Sequence, residues 1–263
     1  MKIIVLIKQV PNTTEVKLDP KTGSLIREGI ESIVNPDDLH ALEAGISLKE
    51  VHGGRVTVIS MGPPQAIDAI SEAIGMGADE GILISDRAFA GADTWATSFV
   101  LGKAIEKIGE YDLILCGRQA IDGDTAQIGP QVADHLQVSQ ATNACEIKEI
   151  KKMTMIIKRR LENSFELVRC PIPALVTVIG ELNKPRYPLV GRLIDACKEG
   201  APIKIWNAAD ISVKTNEVGL EGSLTHVIKT FAPKSKRKRA MLGGETREAV
   251  KILVGELKEN KLI

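Results

Sequence analysis

Hydrophobic residues recur along the first half of the chain with two alternating periods. Lys2 to Lys8 ("KIIVLIK") is a near-continuous aliphatic run, the pattern of a central parallel strand buried on both faces. The stretch "EVKLDPKTGSLIRE" (residues 15–28) alternates apolar and polar positions around Asp19-Pro20-Lys21-Thr22-Gly23 and predicts a β-hairpin excursion. "NPDDLHALEAGISLKE" switches to helical spacing, with Leu39, Leu42, Ile46 and Leu48 as the apolar stripe. Asn35 is placed as its N-cap and Pro36 as its first residue. Strands are predicted at Arg55–Ser60, Gly81–Ser85 and Leu113–Cys116, and helices at Ala66–Met76, Thr94–Ile108 and Gln127–Leu136. This β-α alternation predicts an α/β fold with a doubly wound parallel sheet of the adenine-nucleotide-binding, Rossmann-like type.

Beyond Leu136 the period changes. "ACEIKEIKKMTMIIKRRLENSFELVRC" contains short alternating runs separated by charged turns, a small antiparallel meander. "PALVTVIG" returns to the buried-strand pattern, and "ELNKPRYPLVGRLIDACKE" is a proline-containing loop leading into a helix. From about Gly200 the runs shorten, the basic stretch "KSKRKR" intervenes, and a last helix spans Glu245–Glu259 with Val250, Leu253, Val254 and Leu257 on one side. The expected organisation is an α/β nucleotide-binding domain over residues 1–200 and an extended C-terminal arm over 201–263 that packs on another subunit.

Composition narrows the function classes. Of 263 residues, 44% are apolar but only 3% aromatic, so the core is aliphatic, as in helix-covered parallel sheets. The 34 basic residues equal the 34 acidic ones, which argues against nucleic acid as a partner. "KSKRKR" has no interleaved aromatics for base stacking and reads as a solvated or partner-facing loop. Cys116, Cys145, Cys170 and Cys197 are scattered, form no CxxC pair and predict no metal site. Cys116 is expected as a small buried hydrophobe, and His40 and His135 as solvent-facing helix residues. With no signal peptide or membrane-spanning run, a cytoplasmic location is expected.

Candidate chemistry gathers at the strand ends, where open α/β sheets bind ligands. Four such ends are rich in Gly, Pro or small polar residues: "QVPNTTE" after Lys8, the loop at Asn35, "SMGPP" from Ser60 through Met61 and Gly62, and "GRQAIDGDTAQIG" after Cys116. There is no GxGxxG after the first strand, no GxxxxGK[ST], no GxSxG and no HExxH, so no catalytic residue is assigned. The acids of the last turn look hostile to phosphate. Backbone N–H groups near Thr125, Ala126 and Gln127 can nevertheless hold a pyrophosphate, with Asp124 as helix cap and Asp122 on a ribose hydroxyl or on the loop backbone. Gly123 leaves room for a ligand to approach.

With these motifs in order, the chain resembles the beta (small) subunit of electron transfer flavoproteins over nearly its whole length. "GRQAIDGDTAQIGPQVA" is similar to that family's nucleotide loop, "SIVNPDDLHALEAGISLKE" to its Asn-Pro helix start, "VISMGPPQ" to its second strand end and "ELNKPRYPLVGRLIDACK" to its partner-recognition loop. "KQVPNTTEVKLDPKTGSLIREG" and "AIDGDTAQIGP" resemble the electron-bifurcating kind, whose beta subunit holds a second FAD. The other kind holds a structural AMP and tends to a bulkier, more acidic loop where Gly123 and Thr125 stand.

The resemblance implies a heterodimer with an FAD-carrying alpha subunit. NADH would give a hydride to the FAD of this chain. The electrons would divide between ferredoxin and, through the alpha-subunit FAD, an acyl-CoA or 2-hydroxy-acid dehydrogenase. It places nucleotide contacts at Leu6, Asn35, Pro36, Asp37, Asp38, Met61 and the loop Ile121–Val132, including Asp122, Gly123, Asp124, Thr125, Ala126, Gln127 and Gly129. Lys8, with Gln9 and Val10, is expected near the flavin, and Ser60 and Gly62 beside Met61. Arg186, Tyr187, Pro188, Leu189 and Val190 are expected at the dehydrogenase, with Val190 at the position of the family's anchoring leucine. A non-bifurcating subunit with AMP and a non-redox adenine-nucleotide module are the alternatives.

Overall fold

The computed structural model describes residues 1–12, 31–228 and 241–263. The hairpin expected at 15–28 and the "KSKRKR" stretch lie outside the described residues. Seventeen elements follow in chain order. They are β1 (Lys2–Leu6), β2 (Gln9–Pro11), β3 (Ser32–Val34), α1 (Pro36–His52), β4 (Arg55–Met61), α2 (Ile67–Met76), β5 (Glu80–Ile84), α3 (Thr94–Ile108) and β6 (Leu113–Gly117). There follow α4 (Ile128–His135), β7 (Ser139–Lys151), β8 (Thr154–Arg160), β9 (Phe165–Pro171), β10 (Ala174–Val178), α5 (Val190–Ala196), β11 (Ile203–Trp206) and α6 (Thr246–Glu259).

The nine-stranded sheet has the order β11-β5-β4-β1-β6-β10-β7-β8-β9. Every neighbour pair from β11 to β7 is parallel, and β7-β8-β9 is the antiparallel meander. The chain therefore winds outward from β1 to β4 and β5 on one side, then returns to start the other side at β6. The switch point lies between β1 and β6, and the crevice outside their carboxyl ends is where this topology places a ligand.

The aliphatic runs fold as strands because each residue has a core to enter. Along β1, Ile3 and Val5 join the core beneath α1 and α2, while Ile4 and Leu6 join the core that includes α3 and α4 residues. β6 repeats this with Leu113 and Leu115 against Ile114 and Cys116. Period-two alternation with both faces apolar is what two helix layers require. Cys116 is a buried free thiol whose burial pushes its pKa up.

The structure adds three strands that periodicity did not reveal: β2 and β3, which form a separate two-stranded antiparallel sheet, and β11 in the main sheet. β11 pairs with β5 from Ile203↔Gly81 to Trp206↔Ile84, so the sheet extends past residue 200. The compact α/β unit runs from Met1 to Val227, and Ile228–Ile263 forms a second unit containing α6, which buries none of its residues. No helix among the described residues is long and apolar enough to cross a membrane.

The histidines depart from expectation. His135 sits against Trp95 and Phe99 with ring centroids 4.7 and 5.8 Å away, its Nε2 3.2 Å from Ser98 Oγ, and burial lowers its pKa. His40 Nδ1 lies 3.0 Å from the Asn183 carbonyl. A sequence pattern gives helix faces, and it does not show that a neighbouring element covers the polar one.

Candidate functional site at the sheet switch point

The site is built around the first turn of α1. Asn35 stands at the N-cap position with Pro36 following, but its side chain makes no cap. It turns instead to the β6–α4 loop, where Nδ2 donates to the Gln119 carbonyl (2.9 Å) and Oδ1 accepts from the Ile121 N–H (3.0 Å). Asn35 is fully buried, so its end of both bonds is shielded from water, while their loop ends are partly exposed. The helix start is closed by backbone, with the Asp38 N–H donating to the Asn35 carbonyl at 2.9 Å.

Asp38 ties the two strands of the switch point together. One carboxylate oxygen accepts from the Lys8 N–H just past β1 (2.8 Å), the other from the Gly117 N–H at the end of β6 (2.9 Å). Burial pushes its pKa up to about 7, against the lowering effect of those N–H groups and of Asn35. Burial also raises Asp37, whose neighbour Arg118 Nε at 3.9 Å draws it down. Gly117 has to be glycine for lack of space, since a Cβ there would lie 2.4 Å from Asp38 Oδ1 and 2.7 Å from the Asp37 backbone.

The β6–α4 loop closes over this floor. Lys8 Nζ reaches both oxygens of Asp122 at 2.7 Å. Gln119 Nε2 donates to Asp124 Oδ1, and the Asp124 N–H donates to the Ala120 carbonyl at 2.9 Å. Asp124 and Ala126 have φ of +51° and +54°, a left-handed conformation that L residues adopt at a cost. Asp124 is thus not the cap of α4. That helix starts at Ile128 behind Gln127, with no side-chain cap. Gln127 Oε1 accepts from Thr94 Oγ1 at 2.9 Å, fastening the loop's far end to α3.

The consequence is a set of unsatisfied donors. The backbone N–H groups of Gly123, Thr125, Ala126 and Gln127 find no acceptor among the described residues, and each of these residues is exposed. A Cβ on Gly123 would meet nothing within 4 Å. Donors presented this way at the mouth of a helix suit an anion such as a pyrophosphate.

The sequence-predicted residues converge on this crevice from several elements. Lys8, Asn35, Asp38 and the loop 121–127 are bonded to one another as described. Pro36 and Asp37 share the first turn of α1. Met61 ends β4, the strand beside β1, with Gly62 just after it, and Gln9 Nε2 donates to the Gln65 carbonyl at 3.2 Å in the next turn. Ser60 Oγ is fully buried and has no partner among the described residues. Leu6 packs its side chain in the core shared with α3 and α4, and a Cβ on Gly129 would sit 2.5 Å from Thr177 Cγ2.

At the separate loop before α5, Tyr187, Leu189 and Val190 are exposed, whereas Arg186 turns inward to Glu43 and Glu50 of α1. Sequence reading missed Gly117 and Gln119. Only the order of strands shows that Gly117 lies against the first turn of α1. Among the described residues no metal-ligating cluster occurs.

The electron transfer flavoprotein domain model matches residues 22–211. The chain is 51% identical over the full length of both chains to the electron transfer flavoprotein subunit beta of Thermoanaerobacterium thermosaccharolyticum. It is 48% identical, again over the whole of both, to the caffeyl-CoA reductase-Etf complex subunit CarD of Acetobacterium woodii. A third relative, the acryloyl-CoA reductase electron transfer subunit gamma of Anaerotignum propionicum, is 39% identical with full coverage. The chain belongs to the electron transfer flavoprotein family and is similar throughout to its beta subunits.

Proposed function

We propose that this chain pairs with a flavin-carrying alpha subunit and holds FAD at the switch point for NADH-dependent electron bifurcation. Ferredoxin and a flavin-dependent dehydrogenase or reductase, the latter reached through the alpha-subunit flavin, are the acceptors. The observation that carries the nucleotide assignment is that the backbone N–H groups of Gly123, Thr125, Ala126 and Gln127 have no acceptor among the described residues. The full-length likeness to a subunit named for a caffeyl-CoA reductase complex supports an acyl-CoA-type partner over a 2-hydroxy-acid one.

The residues fit an adenine dinucleotide. A pyrophosphate would be held by the backbone N–H groups of Gly123, Thr125, Ala126 and Gln127, and the open side of Gly123 would admit it. Asp122 and Lys8, paired at 2.7 Å, neutralise each other beside it and leave carboxylate lone pairs for a sugar hydroxyl. Asn35 holds the loop at Gln119 and Ile121, and Asp38 sets the separation of the β1 and β6 ends. When bound, FAD would supply two-electron exchange with NADH and one-electron exchange with carriers.

The reading is tested with the purified heterodimer, ferredoxin and a partner dehydrogenase. NADH oxidation that requires both acceptors together supports it. NADH oxidation with either acceptor alone at the same rate, or none under any combination, overturns it.

A further inference from the structure

The loop between β10 and α5 displays apolar side chains on a frame that is fastened throughout. Tyr187 is 89% exposed, Val190 70%, Leu189 63% and Ile194 55%, a dense run of exposed apolar groups. Arg186, in their midst, is not displayed. Its backbone N–H and Nε both donate to Glu43 Oε2 (3.0 and 2.8 Å), and one terminal nitrogen donates to Glu43 Oε1 (2.9 Å). The same fork holds both oxygens of Glu50 at 2.6 and 3.0 Å.

Glu43 and Glu50 lie two turns apart on one face of α1, so a single planar guanidinium spans both carboxylates. Burial pushes Glu43 up, but the bonds from Arg186 outweigh it and leave Glu43 below its ordinary value. Arg186 itself is held above the usual arginine range by Glu50 and Glu43. The rest of the frame is equally tied. Asn183 donates to the His40 carbonyl at 2.9 Å, and the Leu189 N–H donates to the Gly75 carbonyl at 3.0 Å. Arg192 caps the end of α2 at the Ile74 and Ala78 carbonyls (2.8 and 2.7 Å). A Cβ on Gly75 would lie 2.6 Å from Leu193 Cδ2, so α5 seats on α2 where that glycine leaves room.

We infer that Glu43 and Glu50 are positioning residues for electron delivery: through Arg186 they hold the loop in a preformed shape, so that Tyr187, Leu189, Val190 and Ile194 meet the flavin dehydrogenase already ordered. This rests on the proposed function's assignment of a dehydrogenase partner. A loop ordered before encounter forfeits less conformational entropy on docking, which acts on complex formation and not on the electron transfer itself. Arg186 serves by fork geometry, so lysine does not replace it.

The test uses the full-length heterodimer with Glu43→Gln, Glu50→Gln, Arg186→Gln and Arg186→Lys. Two readouts are taken: hydrogen exchange of the peptide 182–193, and steady-state reduction of an acyl-CoA dehydrogenase that the wild-type heterodimer reduces. Faster exchange and a KM for the dehydrogenase raised about tenfold, with kcat and flavin content unchanged, are expected in all four variants. Glu50 is half exposed, so its variant keeps the test valid if the Glu43 variant does not fold. Unchanged KM despite faster exchange, unchanged exchange, or full rescue by Arg186→Lys would overturn the inference. A wild-type heterodimer that reduces neither acyl-CoA nor 2-hydroxy-acid dehydrogenases would instead refute the partner assignment itself, a failure visible before any variant is made.

Discussion

The first turn of α1 and the loop Ile121–Gln127 face one crevice and are built in opposite ways. Asn35 and Asp38 are buried, and their polar atoms are bonded to neighbouring backbone. The loop is exposed at every residue, and the N–H groups of Gly123, Thr125, Ala126 and Gln127 have no acceptor among the described residues. The buried half stores shape, and the open half stores binding capacity. A buried polar group left unmatched costs far more than an exposed one, so the two halves should respond very differently to substitution.

The sharpest way to break this contrast is Asn35→Ala. It strands the Gln119 carbonyl and the Ile121 N–H, and should lower stability by about 2–4 kcal/mol in urea unfolding and empty the nucleotide site. Retention of nucleotide with wild-type stability would remove the distinction between the halves. Gly117→Ala comes next. Its Cβ would meet Asp38 Oδ1 and the Asp37 backbone, neither of which can yield cheaply, and a loss of about 1–3 kcal/mol is expected. In contrast, Gly123→Ala on the open side should leave stability within about 0.5 kcal/mol, which thermal unfolding of the pair would show.

Asp38→Asn sharpens the contrast through pH. The native carboxyl titrates at about 7 and the unfolded one near its ordinary 3.8. Between those values the native state therefore binds more protons, and rising pH erodes the contribution of Asp38 to stability. The amide has no such slope and cannot accept from both the Lys8 and Gly117 N–H groups through equivalent oxygens. Any stability advantage of wild type over the variant should be largest at pH 4.5 and should shrink by pH 7.5, as read by urea unfolding at the two pH values. A gap that widens with pH would reverse the sign of the burial effect. The smallest stability change is expected from Lys8→Met. Its ion pair with Asp122 is half exposed on the lysine side and should contribute no more than about 0.5 kcal/mol, screened further by salt.

The sequence made the scaffold legible where two-faced aliphatic alternation was strong, as in β1, β4 and β6, and where Asn35-Pro36 marked the start of α1. β11 escaped because "IKIW" is short, holds Lys204 and lies at the sheet edge with exposed faces. The site was legible as a set of strand ends, but not as a mechanism of assembly. Asn35 reads as a cap from local pattern, and only the fold shows its side chain spent on a loop 84 residues away. Asp124 likewise reads as a cap, yet the left-handed turn at Asp124 and Ala126 delays the helix to Ile128. Arg186 reads as an interface residue by type, and its fork is consumed by two glutamates 136 and 143 residues away in sequence. The misses at Asn35 and Arg186 are long-range polar contacts, which hydrophobic periodicity does not encode.

The most direct measurement is the identity and amount of nucleotide released when the purified heterodimer is heat-denatured. Two equivalents of FAD per heterodimer and no AMP are expected if the free N–H groups of the loop 121–127 hold a dinucleotide. One FAD together with one AMP would contradict it and assign the switch point to a structural mononucleotide.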